Sequence, residues 1–151
     1  MRRKDREKDA AFALEVLRAA EYATLGTVNP DGSPYCVPIS PAVMDGDIYF
    51  HCANEGKKLD NIKQNNSICL SAVRYTQLMP SLFTTEYESA VADGKAYIVT
   101  DDGEKYRALV AICEKYAGDY MEAAKERIAQ SLGRTCVVKV VIDRITGKAN
   151  T

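Results

Sequence analysis

Along most of this chain polar and apolar residues follow the two-residue period of extended backbone. In a few stretches apolar residues recur every three or four positions, as they do in a helix. The first helical stretch covers residues 5–20, where apolar side chains recur every three or four positions and charges occupy the opposite face. The extended pattern predicts six strands, at residues 22–28, 34–43, 47–53, 67–75, 84–100 and 136–142. The first three strands are joined by short turns, and we expect them to form a meander.

Helical patterns interrupt these strands at two further places. A short helix is predicted at residues 54–65, and a helical insertion with a break at Gly118 is predicted at about 102–132. A loop is expected at residues 76–81, and a bulge at Gly94. The helices interrupt a series of hairpins and do not alternate regularly with the strands. This order indicates a mainly β fold, an antiparallel barrel with peripheral helices. The almost continuously apolar last strand should lie centrally in the sheet.

Length and charge limit the classes of protein that remain. A chain of 151 residues is close to one domain, so we expect a single domain over residues 1–151. Twenty basic and twenty-one acidic residues leave a net charge of -1, which argues against a nucleic-acid partner. Neither a secretion signal nor a run long enough to cross a bilayer is evident, so we expect no membrane association and a cytoplasmic location.

Cysteine and histidine usage excludes the common metal sites. The five cysteines include no closely spaced pair, which excludes a CxxC redox or zinc motif. We expect them to be buried, reduced thiols. His51 is the one histidine, so a His-rich catalytic metal site is also excluded and no metal is predicted.

Two adjacent lysines, Lys57 and Lys58, stand at the head of the helix predicted at 54–65. A lysine in the first helical turn opposes the macrodipole, whose positive end lies there, unless an anion is bound to the exposed N–H groups. The pattern therefore favours a phosphate site. The alternative is that both side chains point into water at a cost of a few tenths of a kcal/mol, as surface charges often do.

A set of short motifs runs through nearly the whole chain in a fixed order. They are RRKDRE (2–7), LGT (25–27), PYCVPI (34–39), YFHCA (49–53), GKKLDNI (56–62), YES (87–89), GKA (94–96), EK (104–105) and TGK (146–148). With these motifs the chain resembles the pyridoxamine-phosphate-oxidase-like FMN-binding split barrels, and within them the small nitroimidazole-resistance (Nim-type) flavoproteins. The resemblance implies a six-stranded split β-barrel of Greek-key type that forms a homodimer, with FMN in the cleft between the subunits.

The resemblance also implies roles for individual residues. Lys57 and Lys58 would hold the FMN phosphate, and Asn61 would support the phosphate or the ribityl chain. The backbone of a strand segment would pass beside the flavin ring; its residues are Val37, Pro38 and Ile39. The lack of an N–H on proline would fix where that strand can donate to the ring.

His51 is the candidate catalytic residue, for substrate contact or proton delivery beside the flavin. Side chains alternate along a strand, so it shares a face with Tyr49, which we count among the cofactor contacts. The alternative is a half-buried histidine satisfied by a backbone carbonyl. Tyr87 and Ser89 are expected to reach the partner's flavin, unless their segment is the solvent side of an edge strand.

The implied chemistry is that of the flavin: electrons pass from a reduced donor through FMN to a small acceptor such as a nitroimidazole or another nitroaromatic. NAD(P)H would act only as a transient donor, since no G-x-G-x-x-G motif follows a strand. Pyridoxamine phosphate oxidation is not expected, because the basic residues that would bind that substrate are not evident at 35–40. Two alternatives are an FMN- or haem-binding protein without turnover and a dimerisation module with an empty cleft. Four aromatic residues are assigned to packing only: Phe50, Tyr75, Phe83 and Tyr97.

Overall fold

The computed structural model of this protein describes residues 2–151. Its helices are α1 (Ala10–Ala19), α2 (Lys57–Gln64), α3 (Asp102–Ala117) and α4 (Met121–Ser131). Its strands are β1 (Glu7–Lys8), β2 (Ala23–Val28), β3 (Pro34–Ile39), β4 (Ala42–Met44), β5 (Asp47–Cys52), β6 (Ser67–Met79), β7 (Thr84–Ile98) and β8 (Cys136–Asn150). None of the helices in this range is long and apolar enough to cross a bilayer.

All the strands belong to one antiparallel sheet in the order β3-β2-β6-β7-β8-β5-β4, with β1 paired to the far end of β8. Within residues 2–151 the end strands β3 and β4 do not pair with each other, so the sheet curls without closing. This is a split barrel, and the predicted fold class is confirmed. The predicted central position of the last strand is also confirmed, since β8 lies between β7 and β5.

The predicted meander is wrong, because the segment expected as one strand at 34–43 is two strands at opposite ends of the sheet. β3 pairs with β2, whereas β4 pairs with β5. Ser40 and Pro41 connect them, and a proline cannot donate the hydrogen bond that would continue a ladder. This break, together with the two-residue β1, explains why eight strands are observed where six were predicted.

The N-terminal helix starts later than the predicted 5–20, because Asp9 caps it. The Asp9 carboxylate accepts a hydrogen bond from the Phe12 backbone N–H at 2.8 Å. Upstream of this cap, Glu7 and Lys8 pair with Lys148 and Gly147 of β8 as strand β1.

A long hairpin replaces the loop predicted at 76–81. β6 continues to Met79, which pairs with Thr84 at the far end of the hairpin, so continued cross-strand pairing outweighs the polar composition. The predicted bulge is confirmed, because the register between β7 and β8 shifts between Asp93 and Gly94. A Cβ at Gly94 would lie 2.2 Å from the Val141 carbonyl oxygen, so only glycine fits here.

Two apolar clusters lie on opposite sides of β5 and β8. Leu25, Phe50, Leu70 and Val138 are completely buried in the barrel interior, which α1 covers at one end. The second cluster lies between the sheet and the α3–α4 pair; it contains Tyr49, Val99, Ala108, Leu109, Ile128 and Val137. Alternation along β5 therefore sends Phe50 inward and Tyr49 toward the helices.

The C-terminal half of α3 closes over the break between β3 and β4. Lys115 Nζ donates to the carbonyl oxygens of Pro41 at 2.7 Å and Leu17 at 3.3 Å. Tyr116 Oη lies 2.9 Å from the carbonyl oxygens of Pro41 and Glu21. Burial lowers the pKa of Lys115 to about 8 and raises the pKa of Tyr116 to about 12.

Candidate functional site

The start of α2 presents the kind of donor groups that an anion would need. Gly56 precedes the helix at φ 138°, a conformation that favours glycine, and no side chain within residues 2–151 caps it. The N–H groups of Leu59 and Asp60 donate to the Gly56 carbonyl, so the N–H groups of Lys57 and Lys58 precede the first intrahelical bond. Uncommitted N–H groups at the positive end of a helix are the usual donors to a phosphate.

Two strands lie beside the two lysine side chains. Lys57 Nζ lies 4.6 Å from the centroid of the Tyr35 ring, which ties Lys57 to β3. Lys58 lies near Cys52, at the end of β5, and its positive charge acts to lower the pKa of the Cys52 thiol. Burial and the neighbouring Cys136 outweigh this effect and raise that pKa to about 11. The lysines thus lie beside strands from the two arms of the split sheet.

Asn61 anchors this helix to the barrel. Its side chain is 2% exposed, and Nδ2 donates to Thr27 Oγ1 and to Asn29 Oδ1, each at 3.0 Å. The amide nitrogen therefore fixes α2 against β2 and the turn that follows. A contact of Asn61 with a phosphate or ribityl chain stays a prediction.

The segment predicted to pass beside a flavin ring lies on the end strand of the sheet. β3 pairs with β2 on one side, and no strand in the described chain pairs with its other side. Along it Val37 is half-buried, Pro38 is exposed and Ile39 is buried. Part of this backbone is consequently available to a ligand, while Pro38 can only accept a hydrogen bond.

Tyr49 is 2% exposed and belongs to the cluster under the helices. Its hydroxyl donates to Glu104 Oε1 at 2.7 Å, and Lys139 Nζ lies 3.3 Å from that oxygen and 3.1 Å from Asp47 Oδ2. The hydrogen bond from Tyr49 and the ammonium of Lys139 hold the pKa of Glu104 below its usual range. This network pins the start of α3 to β5 and β8, and a cofactor contact from Tyr49 stays a prediction.

His51 lies on the same side of β5 as Tyr49, as alternation predicted, but it is exposed. No hydrogen bond found among residues 2–151 uses its ring, so the alternative of a histidine satisfied by a backbone carbonyl is wrong. The ring lines a cavity of about 550 Å³ formed with α3 and α4. A free imidazole at a cavity wall can contact a ligand or exchange a proton with it.

Tyr87 and Ser89 lie on β7, which pairs with β6 and β8, so the edge-strand alternative is wrong. Lys148 Nζ lies 5.4 Å from the Tyr87 ring, and Ser89 Oγ donates to the Lys148 carbonyl at 3.3 Å. Desolvation acts to raise the pKa of Tyr87, but hydrogen bonds with Lys148 and Arg6 outweigh it and lower that pKa. No hydrogen bond or ring contact in the described range joins these residues to the lysines of α2.

A larger open groove lies elsewhere and contains none of the predicted site residues. It measures about 800 Å³, between the β2–β3 turn, the end of α2 and β7, and its wall includes Lys63, Lys95 and Tyr97. Lys95 Nζ already donates to Ser67 Oγ at 2.6 Å. Volume alone is a weaker guide than the free N–H groups of α2, so we place the candidate site at that helix.

Two residues of the site were not singled out from the sequence. Tyr35 was part of a motif, but its contact with Lys57 joins residues distant in the chain. Arg127, on α4, lines the cavity beside His51.

The expectation of buried thiols is wrong for Cys36 and Cys69, which are exposed on the outer face of the sheet, although all five cysteines are free.

Comparison with known proteins identifies the family and supports the fold of this chain. The family model of pyridoxamine 5'-phosphate oxidase matches residues 9–149. Among curated proteins none matches the chain significantly. The structure is similar to that of a proposed 5-nitroimidazole antibiotic resistance protein from Bacteroides thetaiotaomicron, with a TM-score of 0.77 and 26% identity over 94% of this chain and 84% of that one.

Two further solved structures share the fold. The flavocytochrome Anf3 from Azotobacter vinelandii has a TM-score of 0.82 and 20% identity over 100% of this chain and 72% of that one. A FAD-binding protein from Mesorhizobium loti has a TM-score of 0.67 and 20% identity over 97% of this chain and 98% of that one. Because the family model matches residues 9–149, nearly the whole chain, this chain belongs to the pyridoxamine 5'-phosphate oxidase family.

Proposed function

We propose that this protein is an FMN-binding oxidoreductase that passes electrons from a reduced donor to a small acceptor such as a nitroimidazole or another nitroaromatic. The observation that carries the proposal is the start of α2, where the N–H groups of Lys57 and Lys58 precede the first intrahelical hydrogen bond after Gly56 and both residues carry an ammonium group. A terminal phosphate monoester matches this donor set, because it offers several charged acceptor oxygens at one point.

FMN ends in such a phosphate, which is why we propose it rather than FAD. When bound, the flavin supplies the redox chemistry, accepting electrons from the donor and releasing them to the acceptor. The residues of this chain would bind and orient it: the lysines at the phosphate, and the free side of β3 beside the ring. NAD(P)H would be a visiting donor, as the motif analysis implies.

The protein itself would control protons and water at the acceptor. His51 is exposed and has a ring free of hydrogen bonds within the described chain, and an imidazole can both donate and accept a proton. It could therefore deliver a proton to an acceptor that is being reduced. The α3–α4 pair covers part of this face of the sheet and would limit the access of water to it.

We further propose that the protein is a homodimer and works in the cytoplasm. The β6–β7 hairpin carries three exposed apolar side chains at its tip: Leu78, Leu82 and Phe83, which are 73%, 66% and 97% exposed. An exposed apolar patch of this kind favours burial against another protein surface. A second copy of the chain is the occupant that the family resemblance implies, and it could bring Tyr87 and Ser89 to the flavin of its partner.

A second candidate function is ligand binding without turnover, with flavin or haem as the ligand. It is favoured by the imidazole of His51, which is free and lies at a cavity wall, and by the similarity in fold to a flavocytochrome. Imidazole is a common axial ligand of haem iron.

One experiment separates these possibilities. The protein is purified without added cofactor, its visible spectrum is recorded, and the chromophore released on denaturation is identified by chromatography against FMN, FAD and haem standards. We expect a yellow protein that releases FMN and consumes NAD(P)H in the presence of a nitroimidazole. Released FMN without turnover would leave the binding function alone, and a colourless protein that takes up no FMN would contradict the proposal.

A further inference from the structure

The cavity beside His51 is formed by small side chains on two helices. Ala117 at the end of α3 and Ala124 of α4 line it, and the buried apolar side chains of Leu109 and Ile112 form its floor. Alanine at these positions leaves space that larger residues would fill. A volume of about 550 Å³ lies within the roughly 300–1,000 Å³ typical of small-molecule sites.

The charged lining of this cavity has one sign. Arg127 is the charged side chain on its wall, and no Asp or Glu of the described chain lines it. The other polar lining residues are His51, Cys113, Tyr120, Ser131 and Thr135. None of the ion pairs found among residues 2–151 uses Arg127. An unpaired guanidinium beside an apolar floor favours a ligand with an apolar ring and one anionic or strongly electron-rich oxygen group.

We infer that this cavity is the acceptor site, and that it selects flat aromatic molecules carrying a carboxylate, with Arg127 binding the carboxylate and His51 facing the ring or its nitro group. This inference rests on the proposed function, because it names the class of acceptor that such a reductase would take. Nitroaromatic carboxylates are the simplest members of the class.

A single histidine makes the cavity directly observable. His51 is the one histidine in the sequence, so in tag-free protein the imidazole Hε1 and Hδ2 resonances report on this wall alone. The probe is 4-nitrobenzoate, titrated into the protein as purified, with no reductant present. 4-nitrobenzamide, which has the same shape without the charge, is the matched control ligand. Flavin content is measured on the same sample, so failure of the protein to bind flavin is distinguished from failure to bind the probe.

Variants on one helix test the location. Ala124→Phe would fill the cavity, and Ala123→Leu at an exposed lining position is a second, milder filling. Ala129→Phe is the matched control, because Ala129 is an exposed alanine of α4 outside the cavity. Arg127→Gln removes the charge and keeps most of the side-chain length.

We expect 4-nitrobenzoate to shift the His51 resonances in the wild type and in Ala129→Phe, and not in the two filled variants. Arg127→Gln should weaken 4-nitrobenzoate binding by about tenfold and change 4-nitrobenzamide binding by less than about twofold. Absence of a His51 shift at millimolar probe, an equal shift in folded Ala124→Phe and Ala123→Leu, or equal weakening of both ligands by Arg127→Gln would overturn the assignment. A Soret band in the purified protein would also overturn it, because His51 would then be assigned as an axial ligand of haem.

Discussion

The ammonium of Lys57 lies 4.6 Å from the centroid of the Tyr35 ring, and this contact links the first turn of α2 to the end strand β3. A lysine at a helix N-terminus is repelled by the positive end of the macrodipole, and the π-face of an aromatic ring offsets part of that repulsion. The ring thus holds the Lys57 charge beside β3 before any ligand arrives. Such pre-organisation lowers the cost of ordering a long side chain on binding.

Replacing Tyr35 tests this pre-organisation. We expect Tyr35→Leu to weaken FMN binding by about 0.5–1 kcal/mol, because Lys57 then loses its ring and must be ordered by the phosphate. Tyr35→Phe keeps the ring and should bind FMN as the wild type does. Quenching of FMN fluorescence gives both affinities. Equal weakening by the two substitutions would show that the hydroxyl, and not the ring, matters.

The bulge at Gly94 predicts a large loss of stability on substitution. Gly94→Ala would bring a Cβ to 2.2 Å from the Val141 carbonyl oxygen, so β7 and β8 must separate locally. We expect a loss of about 2–4 kcal/mol in the free energy of unfolding, measured by urea denaturation. Gly133→Ala, where an added Cβ meets no heavy atom within 4 Å, should change it by less than about 0.5 kcal/mol. Similar effects from both substitutions would contradict a tight bulge.

Burial of Lys115 predicts a pH dependence of stability. Its pKa falls from 10.5 to about 8 in the folded protein, so between these values the unfolded chain binds more protons, and stability rises with pH. Below pH 8 the full cost of the buried charge is present. Lys115→Met lacks this effect, so the wild type should gain about 1–3 kcal/mol over the variant between pH 8 and 10.5. Parallel stability curves for the two proteins would contradict the shift.

The hairpin tip predicts the oligomeric state. We expect the wild type to sediment as a dimer, and Leu82→Asn combined with Phe83→Asn to weaken the dimer by at least about tenfold. Asparagine suits Phe83 because that residue has φ 51°, which asparagine tolerates. Tyr22→Asn is the control, since Tyr22 is 61% exposed and lies outside the hairpin. A monomeric wild type, or a dimer unaffected by the double substitution, would contradict the proposed interface.

Local patterns determined most of the fold in advance. The start of β2, the position of α2, the bulge at Gly94 and the central place of β8 follow from alternation, breakers and apolar runs. The division of residues 34–43 into two strands could not be predicted in this way. The strand-like pattern continues across Pro41, while the partner strand changes from β2 to β5. Which strand pairs with which is a property of the whole sheet, and a single extended segment does not encode it.

The site was predictable only in part, for a similar reason. Lys57 and Lys58 were visible because a helix start has known electrostatics, and His51 because strand faces alternate. The contact of Tyr35 with Lys57 and the place of Arg127 beside His51 join residues far apart in the chain. The burial of Tyr49 depends on α3 folding back onto β5, which no motif in that strand signals.

The most direct test of the account is the affinity of the flavin-free protein for FMN, measured by fluorescence titration, in the wild type and in Lys57→Ala with Lys58→Ala. The control replaces two exposed lysines away from the start of α2, Lys63→Ala in the last turn of that helix with Lys125→Ala on α4, and so makes the same change in charge. We predict that the first double variant loses about 2–4 kcal/mol of FMN binding and that the control stays close to the wild type. FMN affinity that is unchanged by loss of Lys57 and Lys58, or absent from the wild type, would contradict the phosphate site on which the account rests.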